Sequence, residues 1–218
     1  MGSAATSRRE RLRAETREAI LDAARQIVTD KGIEDFSLRE VARAVGYSPA
    51  ALYEYFASKE AMLTCLYFES SGGLGQRLAE IVTTRSPERP VIEELKALGR
   101  GYRAYALENP ALYRLIFTIS PPPDVTGEPD DEGTAYQALV DTVARGIAAG
   151  EFVAMPPLVL AVTCWSFVHG FVMLELNGNL TPATPPGRTL EQLPVRPSTD
   201  DLFEAVLDAM EVGVLRRT

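Results

Sequence analysis

The stretch VGYSPAALYEYFASKE, Val45 to Glu60, puts three tyrosines, two serines, a proline and a lysine into sixteen residues. Hydroxyl groups at this density suit an acceptor-rich partner. Phosphate oxygens take hydrogen bonds from Ser, Tyr and backbone N–H groups, and helix N-termini attract anions. Ser37, Ser48 and Ser58 each stand where a helix should begin, and Pro49 follows Ser48 at the first helical position. Lys59 falls in the first turn of the next helix, where the dipole disfavours a cation. A phosphate partner would offset that. Leu52 and Phe56 are four apart and should pack inward on one face, leaving Ser48, Ala50, Tyr53 and Tyr55 to other directions.

No comparable constellation suggests catalysis. His169 is the only histidine, and neither a Gly-x-Ser-x-Gly elbow nor a phosphate loop accompanies it. Cys65 and Cys164 make no disulfide framework and no metal motif, and neither adjoins a Lys or Arg in sequence, so both read as inert small hydrophobes. The expectation is a protein without catalytic residues, metal or cofactor.

Charge sharpens the reading. The net charge is -8, which excludes a uniformly basic nucleic-acid binder. Residues 1–60 hold ten Lys/Arg against ten Asp/Glu, and residues 61–218 hold twelve against twenty. Within the first part Arg8, Arg9, Arg11, Arg13 and Arg17 face only Glu10 and Glu15. A basic tip on an acidic body suits local contact with a polyanion. The arginine run reads either as a solvated tail or as an arm reaching adjacent phosphates or the minor groove. An apolar fraction of 46% over 218 residues gives room for a sizeable core in one large or two smaller domains. No apolar signal segment follows the N-terminal arginines, and the cysteine usage suits a reducing, cytoplasmic compartment.

The elements that must position these groups are helical almost throughout. Val, Ile and Thr rarely alternate with polar residues, which argues against sheets. Ala19, Ile20, Ala23, Ala24, Ile27 and Val28 form one stripe on a first helix that ends at Gly32. Ser37 to Glu40 spells a capping box for a short second helix; Gly46 lies in the next turn, and Ser48 opens the third helix. A fourth helix follows Ser58, a fifth covers about 88–108, a sixth follows Asn109-Pro110, and a seventh ends at Gly150. Leu158 to Leu174 has no Lys, Arg or carboxylate, which touches the lower length limit of a membrane span. It also suits a helix buried on both sides at a subunit interface, and that reading is preferred. Ser198 to Asp201 caps a last helix with Leu202, Phe203, Val206, Leu207, Met210 and Val214 on one face. Segments 121–133 and 177–197 read as proline-rich loops. The fold class is all-α, about nine helices: residues 1–64 with a helix-turn-helix and basic arm, and residues 65–218 as a helical bundle.

Two aromatic groups stand apart. Tyr102, Tyr105, Tyr113 and Phe117 cluster across the fifth and sixth helices, and Trp165, His169 and Met173 share one face of the eighth. Each reads as bundle core or as the wall of a ligand pocket between helices. Such a wall would favour an apolar or aromatic small molecule.

The run LREVARAVGYSPAALYEYFASKEAML, with the first-helix stripe before it, resembles the DNA-binding signature of the TetR family of transcriptional repressors over about residues 15–64. The resemblance implies phosphate contacts from Ser37, Ser48, Tyr53, Tyr55 and Lys59, and base contacts from Arg39, Tyr47, Pro49 or Ala50. The third helix lacks Arg, Lys, Asn and Gln, so readout would rest on Arg39, thymine methyls and DNA shape. NPALYRLIF and WSFVHG are similar to a C-terminal domain noted for a Trp-His-Gly run, here Trp165, His169 and Gly170. That likeness implies a dimer interface on the last two helices, with Leu158, Val162, Leu202, Val206 and Met210 as candidates. The expected whole is a homodimeric repressor bound to a palindromic operator and released by a small-molecule effector. The rivals are an enzyme, which needs paired acid–base groups, and a helical adaptor or membrane-associated bundle without DNA binding.

Overall fold

The structure is a computed structural model. It describes residues 2–84, 86, 88–120, 135–181, 192 and 197–215, with side chains from Arg8 onward. The expected loop at 121–133 and most of that at 177–197 lie outside the described residues. Among the described residues there are nine helices and no strand, apart from one isolated bridge between Phe152 and Leu215. The helices are α1 Gly2–Lys31, α2 Leu38–Ala44, α3 Pro49–Leu52, α4 Lys59–Thr83 and α5 Val91–Glu108, followed by α6 Pro110–Thr118, α7 Ala135–Ala148, α8 Pro157–Leu176 and α9 Thr199–Val214.

The chain forms two compact units. One comprises Met1–Ser71 with Asn109–Pro129, the other Gly72–Glu108 with Asp130–Thr218. The division therefore differs from a single cut at residue 64: α6 belongs with the helix-turn-helix, and α4 contributes to both units.

In the first unit the apolar stripe of α1 is the centre of the core. Ile20, Ala24 and Val28 are fully buried against Phe36, Val41, Ala42, Leu52, Phe56, Met62, Leu66 and Leu115. The chain turns out of α1 at Gly32, whose φ of +83° is the left-handed conformation that ends helices at glycine. α1 starts far upstream of its apolar stripe, so the arginine run is helical rather than a loose tail. A bidentate pair from Arg25 to Glu69, at 2.6 and 2.8 Å, fixes α1 to α4.

The second unit packs α5, α7, α8 and α9 around one another. α5 begins at Val91 rather than near 88, after Pro90, and the Val91 N–H donates to the Glu151 carboxylate at 2.8 Å. Ionic pairs tie α5 to its neighbours: Lys96 donates to Asp208 and Glu211 of α9, and Arg103 makes two hydrogen bonds to Glu175 of α8. Glu94 is buried and meets Arg145 and Thr142 of α7. α8 has the length and composition of a spanning helix. It buries Leu160, Ala161, Cys164, Val168, Phe171 and Val172 within this chain and leaves the opposite face exposed.

Candidate nucleic-acid interface and effector site

α2 and α3 are joined through Gly46, whose φ is +73°, and the Tyr47 N–H closes the turn on the Ala42 carbonyl at 2.9 Å. The three serines cap as their positions predict. Ser37 accepts from the Glu40 N–H, Ser48 from Ala51 and Ser58 from Ala61. The reciprocal half of the α2 capping box is not made. The Glu40 carboxylate turns instead to Lys31 at 2.5 Å, a cation the linear pattern does not reveal.

α3 is only four residues long, so its own hydrogen bonds cannot hold it. Leu52 and Phe56 anchor it in the core. That anchoring leaves Tyr47 42% and Tyr53 58% exposed, with Ser48, Pro49 and Ala50 also on the surface. Tyr55 is half-buried; its ring meets Tyr47 edge-on at 6.4 Å, and Arg13 lies over it at 5.6 Å. Lys59 is half-buried with its ammonium 5.6 Å from the Phe36 ring, a contact that partly offsets its place at a helix N-terminus.

Arg39 and Arg43 stand one turn apart on the exposed face of α2. With Lys31, Asp35, Ser37 and Glu40 they line an open groove of about 510 Å³. Among the described residues neither arginine has an ion-pair partner, whereas Lys31 is neutralised by Glu40. Arg43 is not among the residues singled out by the motif, although its four-residue spacing from Arg39 is the signal that places both on one face. Arg13 and Arg17, members of the arginine run, have individual partners in the structure. Arg13 donates to the Glu54 carbonyl at 2.7 Å; Arg17 lies 4.8 Å from the Phe56 ring and donates to Cys65 Sγ at 3.1 Å. Cys65 thus has an arginine beside it in space that it lacks in sequence.

The aromatic candidates divide between the two units. Tyr113 is fully buried in the first and packs edge-on against Phe117 at 5.0 Å. Tyr102 and Tyr105 belong to the second, where Arg77 lies 6.0 Å from the Tyr105 ring. Tyr102 joins the α8 face: its hydroxyl accepts from Trp165 Nε1 at 3.0 Å and lies 3.0 Å from His169 Nδ1. Tyr136, which the sequence reading did not single out, stacks at a tilt on Trp165 at 5.9 Å. Burial lowers the pKa of His169, which holds the ring neutral, and pushes the Cys164 thiol up to about 11. Met173 is half-buried on the same face.

Of the dimer candidates, Leu158 is 56% and Val162 43% exposed, and Leu202 and Val206 are half-buried. Met210 is a correction. At 3% exposure it packs inside its own chain, because its turn of α9 faces the bundle; Val212 is the outward apolar residue.

This arrangement is that of a helix-turn-helix regulator with a separate helical bundle. Residues 20–64 match the family described as bacterial regulatory proteins, tetR family, and residues 95–210 match the tetracyclin repressor-like C-terminal domain. The chain belongs to the TetR family. The matched C-terminal domain is this one, and no Trp-His-Gly subtype is assigned by it. The HTH-type transcriptional regulator Rv1816 of Mycobacterium tuberculosis is 32% identical over 139 residues, covering 61% of this chain and only 57% of that protein. An uncharacterized HTH-type regulator of the same species, Rv0681, is 24% identical over 93% of this chain and 83% of its own length. A TetR family transcription regulator from Marinobacter aquaeolei VT8 shares the fold, with a TM-score of 0.64 at 22% identity, covering 95% of this chain and all of that one.

Proposed function

We propose that the protein is a cytoplasmic, homodimeric transcriptional repressor, not an enzyme, that binds a palindromic operator and releases it when a small molecule occupies the second unit. One observation carries the DNA-binding part. Tyr47, Ser48, Pro49, Ala50 and Tyr53 share an exposed surface on a helix-turn-helix whose arginines Arg39 and Arg43 have no carboxylate partner among the described residues. Ser37, Ser48, Tyr53, Tyr55 and Lys59 would position the phosphates; Arg39, Tyr47, Pro49 and Ala50 would face the bases.

The exposed face of α8 supports dimerisation. Val159, Val162, Thr163, Ser166, Phe167, Gly170 and Leu174 fall on one side of the helix, at i, i+3, i+4, i+7, i+8, i+11 and i+15, and form one mostly apolar strip. A second copy of the chain would cover it, and two-fold symmetry would space the two α3 helices about one turn of DNA apart. The effector would meet Tyr102, Tyr136, Trp165 and His169, a mostly aromatic surface with a few polar groups, which favours a neutral aromatic compound. α4, shared by both units, is the element through which occupancy would change the population of DNA-competent dimers.

The test is an anisotropy titration against labelled duplex DNA at two salt concentrations, with Tyr53→Phe and Lys59→Ala beside the wild type. The reading expects saturable binding that weakens with salt and is reduced in both variants; binding that ignores salt and both substitutions contradicts it. For the effector, Trp165 is the only tryptophan, so its fluorescence reports occupancy by members of an aromatic compound panel. A compound that shifts the emission should also lower DNA affinity.

A further inference from the structure

We propose that Arg13 is a positioning residue for DNA recognition, one that acts by bracing the segment after α3 rather than by touching a phosphate. The proposal rests on the DNA-binding reading above. α3 has a single helical turn, and its orientation is set by what packs against it. Leu52 and Phe56 hold it from the core. The turn that follows closes on itself, with the Glu54 and Tyr55 N–H groups bonded back to the Ala51 and Leu52 carbonyls at 3.2 and 2.9 Å. The Glu54 carbonyl then points outward at the C-terminal end of a short helical segment, where carbonyls lack intrahelical partners and a cation is favourable.

Arg13 supplies that cation from α1. Its Nη2 donates to the Glu54 carbonyl at 2.7 Å while the guanidinium lies 5.6 Å from the Tyr55 ring centroid. Tyr55 in turn meets Tyr47 edge-on at 6.4 Å. The sequence of contacts is therefore Arg13, Tyr55, Tyr47, and Tyr47 opens the exposed surface proposed to face the bases. One turn further along α1, Arg17 repeats the motif over Phe56 at 4.8 Å and donates to Cys65. Two members of the arginine run thus grip residues 54–56, and the run divides by task. All four of Arg8, Arg9, Arg13 and Arg17 are exposed, and the division lies in the contacts: Arg13 and Arg17 are directed onto residues 54–56, while Arg8 and Arg9 lie on the turn before, where a phosphate could reach them. A planar guanidinium can donate in its plane and stack on its face at once, which lysine cannot reproduce.

The experiment uses the full chain and a duplex that the wild-type protein selects from a random-sequence library, with a scrambled duplex of the same length as the non-specific probe. Wild type, Arg13→Ala, Arg13→Lys and Arg9→Ala are titrated on both duplexes across a salt series, and each is checked by circular dichroism for the same helical content. The proposal expects Arg13→Ala to bind the selected duplex about tenfold more weakly, from the lost hydrogen bond and stacking. It expects non-specific affinity and the salt slope to stay at wild-type values, and no recovery with Arg13→Lys. A weakening on both duplexes with the log–log salt slope smaller by about 0.9 makes Arg13 a phosphate contact and overturns the proposal. Full rescue by Arg13→Lys, unchanged binding in Arg13→Ala, or an equal loss on both duplexes with reduced helical content overturns it as well. If the wild type selects no duplex while remaining folded, the DNA-binding reading itself fails, and the positioning role falls with it. Arg9→Ala is the control that shows what loss of an exposed charge does to the slope.

Discussion

The Tyr102 hydroxyl lies 3.0 Å from His169 Nδ1 and accepts a hydrogen bond of 3.0 Å from Trp165 Nε1, so a single phenol ties α5 to two residues one turn apart on α8. A neutral imidazole that accepts the Tyr102 proton at Nδ1 satisfies all three groups. Burial favours the same neutral form and lowers the pKa of His169 from 6.5. The unfolded state therefore binds more protons than the folded one just below that value. This contribution to stability is fully present above about pH 6.5 and is lost as pH falls through the lower folded pKa. Histidine NMR should show a single titration with a midpoint below 6.5, and a midpoint above it contradicts the geometry. Tyr102→Phe removes the hydroxyl that joins Trp165 and His169 and should lower the urea unfolding midpoint by the equivalent of about 1 kcal/mol, the usual net worth of a hydrogen bond.

Gly146 of α7 carries a close approach. The Glu151 and Phe152 N–H groups both reach its carbonyl, at 3.0 and 3.1 Å, and fold the buried Phe152 ring over its Cα. A Cβ there would run into the Phe152 ring. Gly146→Ala should destabilise by about 1–3 kcal/mol, read as a lower urea midpoint at unchanged slope. An unchanged midpoint would show that the ring can move aside.

Gly72 is the opposite case. It is helical and exposed, and a Cβ on it would meet nothing within 4 Å. Gly72→Ala should stabilise α4 by up to about 1 kcal/mol, because alanine removes the entropic cost of glycine in a helix interior. Its neighbours Ser70 and Ser71 bond back to the Leu66 and Phe68 carbonyls, another departure from strong helix formers in the same turn. A lower unfolding midpoint would mean that the helix depends on the glycine.

Phe167 is 48% exposed at the centre of the apolar strip on α8. If that strip is the subunit interface, Phe167→Glu places a charge in it and should give a monomer by sedimentation velocity at micromolar concentration, with helical content retained. A variant that sediments as the wild-type dimer would move the interface elsewhere.

What could be read from the sequence was local. Ser37, Ser48, Ser58 and Ser198 announce helix starts because a cap is made within three residues, and each makes its bond. The stripe from Ile20 to Val28 was legible because one face of a helix must be apolar to bury. The features missed are set by partners distant in the chain. Lys31 draws Glu40 away from its box, and Glu151 supplies the acceptor at the start of α5. Arg13 and Arg17 extend α1 well beyond its apolar stripe by finding Glu54 and Phe56 some forty residues later. Periodicity gave Met210 and Val206 the same face of α9, yet Met210 is buried within the chain and Val206 is half-buried, a difference the linear pattern does not carry.

A two-fold-symmetric repressor is tested by selecting bound duplexes from a random-sequence library with the purified full chain and sequencing them. The expected result is enrichment of an inverted repeat whose half-sites are centred about 10–10.5 base pairs apart, or a multiple of that spacing, as two α3 helices related by a two-fold axis require. Selection of no motif by a folded dimer, or of a single unrepeated site, would contradict it.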